Sequence, residues 1–510
     1  MENIENMDHI NNISNSLKQK KSKEFSQESL LERLIEYSAS DYYPFHMPGH
    51  KRKAIQEGMG FPNPYTIDIT EIHGFDNLHH AEGILKDSMT QAAACYGADE
   101  SWYLVNGSSG GILSAISGCT WRGGTILVSR NCHKSVYHGI LINGLQAEYV
   151  YPQILTGLGI QGGIRPEDVE KKLEENPEIQ AVMIVSPTYD GMVSDIKRIA
   201  EAAHRHGVPL LVDEAHGAHF PFGRNGEFPV SALELGADVV IQSLHKTLPS
   251  LTQTAILHMK QEYLGQERME RIRRYLSIYQ SSSPSYVLMA AIENCIGYMD
   301  QEGRERLSQL AEELKEFREQ CRSLRHIVIP GKEWIGQAGI YDMDCSKILM
   351  VTGCGRKSGV WLENFLRERH HLELEMCAPQ YGLALTSLWD GREGLKRLLE
   401  GLKDADQAMD DEFQNGTWTG EEPSAVIPEA VCRISTAMEH PYETRKLEEC
   451  EGRISAEFVY LYPPGIPYLV PGEVISNEMI LKLIHYRKLG FEIQGIQDFQ
   501  GIFLRTLKKK

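Results

Sequence analysis

Residues 209–217 read PLLVDEAHG, and residues 238–246 read DVVIQSLHK. Each is a short, unbroken apolar run that ends in ionisable and hydroxyl side chains. Runs of this kind, without polar alternation, mark strands buried on both faces. Further runs lie at Thr125–Ser129, Ala181–Ser186 and Thr254–Leu257. Between them, Ser194–His206 carries Ile196, Ile199, Ala200 and Ala203 on one helical face and stops at Gly207. Strands alternating with amphipathic helices predict an α/β fold around a mostly parallel sheet. In such sheets ligands bind at the carboxyl ends of the strands, where both quoted runs place their chemistry.

The rest of the chain bounds the answer. It has 510 residues, 42% hydrophobic and 24% charged, enough for about three structural units. The net charge of −18 argues against a nucleic-acid partner, which needs clustered Lys and Arg. Ten scattered cysteines include no CxxC pair, so neither a zinc ribbon nor a dithiol redox site is indicated. The opening MENIENMDHINN lacks an apolar stretch, and no run of 18 apolar residues occurs. A cytoplasmic protein without a membrane partner is the expectation.

Chemistry concentrates at four places. Asp213 and His216 follow one strand; Ser243, His245 and Lys246 follow another; Ser186-Pro-Thr-Tyr-Asp-Gly191 follows a third. Asn106-Gly-Ser-Ser-Gly-Gly111 precedes ILSAIS, a glycine-rich turn whose helix would aim N–H groups at an anion. An anion cradle, a lysine and a carboxylate together fit pyridoxal phosphate, through its phosphate, aldehyde and ring nitrogen. Asp213 and Lys246 are 33 residues apart, suiting neighbouring strand ends joined by one crossover. Taken singly, Asp213 reads as a helix cap and Lys246 as a solvated lysine. DEAH (213–216) resembles a helicase box, but no GxxxxGK[ST] accompanies it, and Gly353–Ser358 is a near miss. His216 and His219 lack an HExxH context, so no metal is expected.

The chain resembles the bacterial ornithine/lysine/arginine decarboxylases, which adopt the aspartate aminotransferase fold. The likeness runs from Phe45-His-Met-Pro-Gly-His-Lys51 through Arg130-Asn-Cys-His-Lys-Ser135, Val212–Gly217 and Ser243–Thr254 to Tyr462-Pro-Pro-Gly-Ile-Pro467 and Pro471-Gly-Glu473. The resemblance implies that Lys246 carries the cofactor, Asp213 meets its ring nitrogen and His133 stacks on its ring. It also implies that Ser108, Ser109, Ser243 and His245 hold the phosphate, while His216 lies beside the ring. Ser281 would reach the phosphate of a neighbouring subunit, making the working unit a homodimer or larger; a surface Ser/Pro loop is the alternative. Relatives of the longer type carry an extra domain before the HMPGHK region, so this chain is similar to the short, biosynthetic form.

The implied activity is decarboxylation of a basic amino acid to its amine and CO₂, feeding polyamine biosynthesis. Arginine is favoured over lysine and ornithine. An aminotransferase, another lyase on the same scaffold, or a silent cofactor-binding relative are the alternatives. Glu457 and Glu473 in the C-terminal unit are candidates for the substrate's distal cation, with solvation at the surface as the favoured alternative for either. The expected divisions are a disordered tail (1–26), an arm (27–75), a large cofactor domain (76–330), a smaller α/β domain (331–405), a linker (406–424) and a C-terminal α+β domain (425–510).

Overall fold

The apolar runs become strands because β-branched and aliphatic side chains fill both faces of one sheet. A computed structural model describes residues 29–53, 59–155, 158–223, 226–352, 357–411, 427–462, 465–498 and 500–508. The expected tail thus lies outside the described residues, as do parts of the Gly353–Ser358 and Tyr462–Pro467 stretches. Among the described residues the large sheet has seven strands: β1 (Glu100–Leu104), β2 (Thr125–Ser129), β3 (Gln146–Val150), β4 (Ile179–Val185), β5 (Leu210–Asp213), β6 (Val239–Gln242) and β7 (Ala255–Met259). Their order is β1-β7-β6-β5-β4-β2-β3. Every pairing is parallel except the two made by β7.

Alternation divides the core in two. Leu211, Val239 and Ile241 pack with Ile112, Ile116, Ile140 and Ile272 on one face. Leu210, Val212 and Val240 pack with Ile196, Ile199 and Ala203 on the other. Fully burying each such side chain contributes about 1.5–3 kcal/mol, so truncating Ile241 to Ala would cost about 2–5 kcal/mol. The sheet is therefore a rigid platform. Strands β5 and β6 are parallel neighbours, as the spacing of Asp213 and Lys246 predicts, with Ile241 opposite Asp213. Among its described residues, their connection contains a single short helical turn, Phe220–Phe222. Strands β1 and β3 carry no long apolar run; β3 forms a half-covered edge.

The second unit holds an antiparallel sheet of β8 (Lys347–Val351), β9 (Met376–Cys377) and β10 (Tyr381–Leu385), ordered β8-β10-β9. Tyr43–Phe45 of the arm runs parallel to Leu372–Leu374 beside it. The helix Arg304–Cys321 packs Leu307, Leu310, Leu314 and Phe317 in one cluster with Leu395, Leu398 and Leu402. The helix Gly391–Asp411 continues past 405, so residues 406–411 are helical rather than linker; the remainder, 412–424, lies outside the described residues. Asp406 fastens this helix by accepting the backbone N–H groups of Arg325, His326 and Ile327 at 2.7–3.1 Å.

The C-terminal unit mixes helices Ile434–Glu439 and Asn477–Lys488 with two small antiparallel sheets. Its own core gathers Leu447, Val459, Leu469, Ile475, Met479 and Leu483. Arg130, at the end of β2, ties it down: the guanidinium donates to Pro467 O at 2.6 Å and to the Glu473 carboxylate at 3.1 Å. No helix among the described residues is long and apolar enough to cross a membrane.

Candidate active site

The strand ends open into a cavity of about 290 Å³. Ser108, Ser109, His133, Asp213, His216, Ser243, His245 and Lys246 all line it, so eight of the nine residues expected to meet the cofactor converge. Ser281 does not line it. Its hydroxyl turns to Ser283 O, and its carbonyl meets His79 Nε2 at 2.8 Å, on the exposed surface.

Local geometry explains the convergence. Gly107 has φ +68°, a conformation most residues avoid, and it turns the chain from β1 into the helix Gly107–Cys119. Ser108 and Ser109 thereby fall in the first turn, where backbone N–H groups have no helical partner and the helix dipole is positive. Gly111 lets that helix sit close on the sheet, since a Cβ there would stand 2.6 Å from Leu104 Cδ1. Ser243, following β6, brings its hydroxyl to 2.5 Å from that of Ser108. Two hydroxyls and a helix N-terminus suit an anion.

The base of the cavity is ionisable yet buried. Lys246 Nζ donates to His216 Nε2 at 2.9 Å. Burial lowers the proton affinity of Lys246, against the pull of Asp213 and Glu375. Asp213 accepts the Ala215 N–H at 3.1 Å, and burial pushes its carboxyl upward while Lys246 draws it down. A carboxylate and an amine thus face one small volume, each raising the cost of burying the other uncharged. Burial, then Lys246, hold His216 well below the ordinary imidazole range. Its Nδ1 is buried with no hydrogen-bond partner. His133 caps the helix Lys134–Asn143, accepting the Ser135 N–H on Nδ1 at 3.3 Å. Burial pushes it down to about 3, leaving a neutral, flat ring. His245 bonds Thr254 O through Nδ1 at 2.8 Å and is pushed down to about 4, again by burial. An orphaned imidazole nitrogen, an amine, a carboxylate and an anion cradle in one cavity match the needs of pyridoxal phosphate.

The wall above this floor comes from elsewhere in the chain. Met47 enters from the arm, Tyr189 from the turn after β4, and Ile466 from the C-terminal unit. Glu375 joins two of these, accepting the Met47 N–H at 2.8 Å on one oxygen and the Tyr189 hydroxyl on the other. Tyr189 in turn packs its ring 4.6 Å from that of His216. The same carboxylate acts electrostatically on three buried lysines, Lys51, Lys246 and Lys347. The sequence assigns no role to Glu375, nor to Lys51, which donates to Pro44 O, His46 O and Leu385 O at 2.8–3.0 Å. The HMPGHK motif was the available signal for Lys51.

Two expected carboxylates are elsewhere. Glu473 is bound by Arg130 and by the Val470 N–H, and Glu457 accepts the Arg505 and Gln497 N–H groups. Both are buried and committed to holding the C-terminal unit, and neither lines the cavity. His219 turns away from His216 to Asp344, at 3.3 Å.

Known proteins carry the same plan. The profile described as Orn/Lys/Arg decarboxylase, major domain, matches residues 29–348, and that of the C-terminal domain matches 421–501. An arginine decarboxylase of Bacillus anthracis is 32% identical across 94% of this chain and 97% of its own. Lysine decarboxylase A from Pseudomonas aeruginosa superposes with a TM-score of 0.72 at 20% identity, covering 94% of this chain and 80% of its own. A structure of SPT with PLP superposes at 0.51 and 16% identity, covering 64% of this chain and 77% of its own. The sheet order, the converging strand ends and two successive family matches leave one assignment: the chain belongs to the Orn/Lys/Arg decarboxylase family.

Proposed function

We propose that the cavity holds pyridoxal phosphate on Lys246 and that the protein decarboxylates a basic amino acid, arginine before lysine or ornithine. The observation that carries this reading is the pairing of Asp213 and Lys246 at adjacent parallel strand ends, facing one cavity. The relatives named arginine decarboxylase support the substrate order.

When bound, the cofactor supplies an electron-accepting ring for the pair left at Cα as the carboxylate departs. The chain's residues do the rest. Lys246, made less basic by burial, offers its amine for covalent attachment. Asp213 supplies negative charge to hold a proton on the ring nitrogen. Ser108, Ser109 and Ser243, at the helix N-terminus, take the phosphate. His133 and His216, both kept neutral by burial, pack against the ring without adding charge that would oppose it. Lys246 and His216, 2.9 Å apart, are the pair positioned to deliver a proton.

A homodimer is part of this proposal. Ser281 stands exposed outside its own cavity, free to serve a second one. The helix Leu30–Ser38 also presents Leu30, Leu31 and Leu34 to solvent. Polyamine supply and a cytoplasmic location follow from the proposed reaction.

The test is product analysis. Purified protein with pyridoxal phosphate is given arginine, lysine and ornithine together with a 2-oxo acid, and the mixture is followed by mass spectrometry. Agmatine as the first product is the expected result. Cadaverine or putrescine alone would overturn the substrate order. Amination of the 2-oxo acid without amine release would overturn decarboxylation.

A further inference from the structure

Behind the cavity, a row of buried polar side chains crosses four neighbouring strands. Glu214 directly follows β5, Gln242 ends β6, His258 lies in β7 and Ser101 in β1. Gln242 Nε2 donates to Glu214 Oε2 at 2.6 Å, Gln242 Oε1 meets His258 Nε2 at 3.2 Å, and His258 Nδ1 meets Ser101 Oγ at 2.6 Å. Glu214 also accepts the Ser231 hydroxyl and the Ala232 N–H, at 2.8 and 2.7 Å. Successive side chains on a strand point to opposite faces. Glu214 and Gln242 therefore back onto the floor formed by their chain neighbours Asp213 and Ser243. All four side chains are buried.

An ionised Glu214 can only accept, and that fixes every bond in the row. The Gln242 amide must donate to Glu214 and accept from His258 Nε2–H, and His258 Nδ1 must accept from Ser101. Protonation of Glu214 lifts that constraint: its O–H is taken either by the Ser231 hydroxyl, which rotates to accept it, or by Gln242 with the whole row reversed. In the reversed row the carboxyl O–H donates to Gln242 Oε1, the turned amide donates to His258 Nε2, and the imidazole proton, now on Nδ1, donates to Ser101 Oγ. One proton enters, at Glu214, and the imidazole stays neutral by moving its own proton between nitrogens.

We propose that Glu214 is a positioning residue whose ionisation sets the direction of this row and, through β5 and β6, tunes the cofactor site borne by Asp213 and Lys246. Burial pushes Glu214 up to about 7, against its three donors, so that change falls near neutral pH. His258, also buried, is pushed down to about 3 and remains uncharged throughout. The other titratable group facing the row is Tyr96, whose ring stacks on His258 at 4.4 Å and whose hydroxyl is raised well above its ordinary value by burial. Among the described residues, no ion pair engages Glu214.

The inference rests on the cofactor reading for one of its two readouts, and the test separates them. Wild type and Glu214→Gln are melted from pH 4.5 to 8.5, and the near-ultraviolet absorption of the holoprotein is titrated over the same range. A carboxyl raised in the folded state contributes stability that is complete below its unfolded value near 4.5 and is lost as pH rises through about 7. The melting temperature of Glu214→Gln should therefore climb relative to wild type between pH 4.5 and 7 and then level. His133, His245 and His258 are pushed by burial to about 3–4 in the folded protein, below this range, and titrate alike in the two unfolded chains, so the difference cancels them. The absorption titration should shift by about one pH unit in the variant, the effect of removing a unit charge one sheet-face away, and Glu214→Asp should restore it.

If Glu214→Gln does not fold, Gln242→Leu replaces it. Loss of that donor should move the inflection to higher pH, and an unmoved inflection overturns the proposal. A pH-independent difference in melting, or superposable absorption titrations, also overturns it. Failure of wild type to retain pyridoxal phosphate after borohydride reduction instead overturns the reading of the cavity, while the melting readout still judges the row.

Discussion

The floor and the wall of the cavity are built in different ways. The floor, from Ser108 to Lys246, is supplied by loops that follow strands of one sheet, so the sheet itself brings them together although its strands do not lie in chain order. The wall is supplied by an arm, a turn, a second sheet and a C-terminal unit. Its joining residue, Glu375, bonds to partners 328 and 186 positions away. Residues on a doubly covered sheet are fixed by topology and apolar pattern alone. Residues on the wall are fixed by tertiary docking, for which a single sequence holds no local code.

Substitutions can break or sharpen that contrast. The largest effect belongs to the floor: Lys246→Ala should abolish cofactor label retained after borohydride reduction and lower turnover by about 10⁴-fold or more. Label persisting on the variant would move the anchor elsewhere. Asp213→Ala should leave attachment intact and reduce turnover by about 10³-fold, with near-normal turnover showing that the ring nitrogen has another partner. On the wall, Glu375→Gln keeps shape but removes the charge shared with three buried lysines. A loss of about 10–100-fold in kcat/KM is expected, matching a charged hydrogen bond worth about 1.5–3 kcal/mol. An effect as large as that of Asp213→Ala would erase the distinction between floor and wall.

The smallest effect on turnover, about 3-fold or less, is expected for Glu473→Ala. Its cost should appear in stability, about 3–5 kcal/mol for leaving Arg130 buried without its anion, read as an earlier unfolding transition. A large rise in KM without a change in unfolding would instead give Glu473 the distal-cation role.

The same contrast governs what was legible beforehand. Leu210–Asp213 and Val239–Gln242 announced themselves as unbroken apolar runs, and the polar residues after them could be placed on one sheet edge. Strands β1 and β3 escaped because ESWYL and QAEYV interrupt their apolar residues with polar ones. The helix Arg304–Cys321 repeats its apolar residues at spacings of three and four, but periodicity shows only that a stripe is buried, not against what. Glu457 and Glu473 were misplaced for a related reason: a carboxylate in a chain has no visible partner until the fold supplies Arg130 or a row of N–H groups. Gln242, His258 and Ser101 were silent because polar residues within strands signal nothing until neighbouring strands align them.

The pairing of Tyr43–Phe45 with Leu372–Leu374 also has a consequence for biosynthesis. The arm leaves the ribosome 329 residues before its partner strand, a delay of about 16–66 s at about 5–20 residues per second. The seven-stranded sheet ends at Met259 and needs nothing from that partner. A nascent chain can therefore complete the sheet while the arm is still unpaired and Met47 is not yet held by Glu375. The floor of the cavity can thus form on the growing polypeptide, whereas its wall must wait for the last third to be translated.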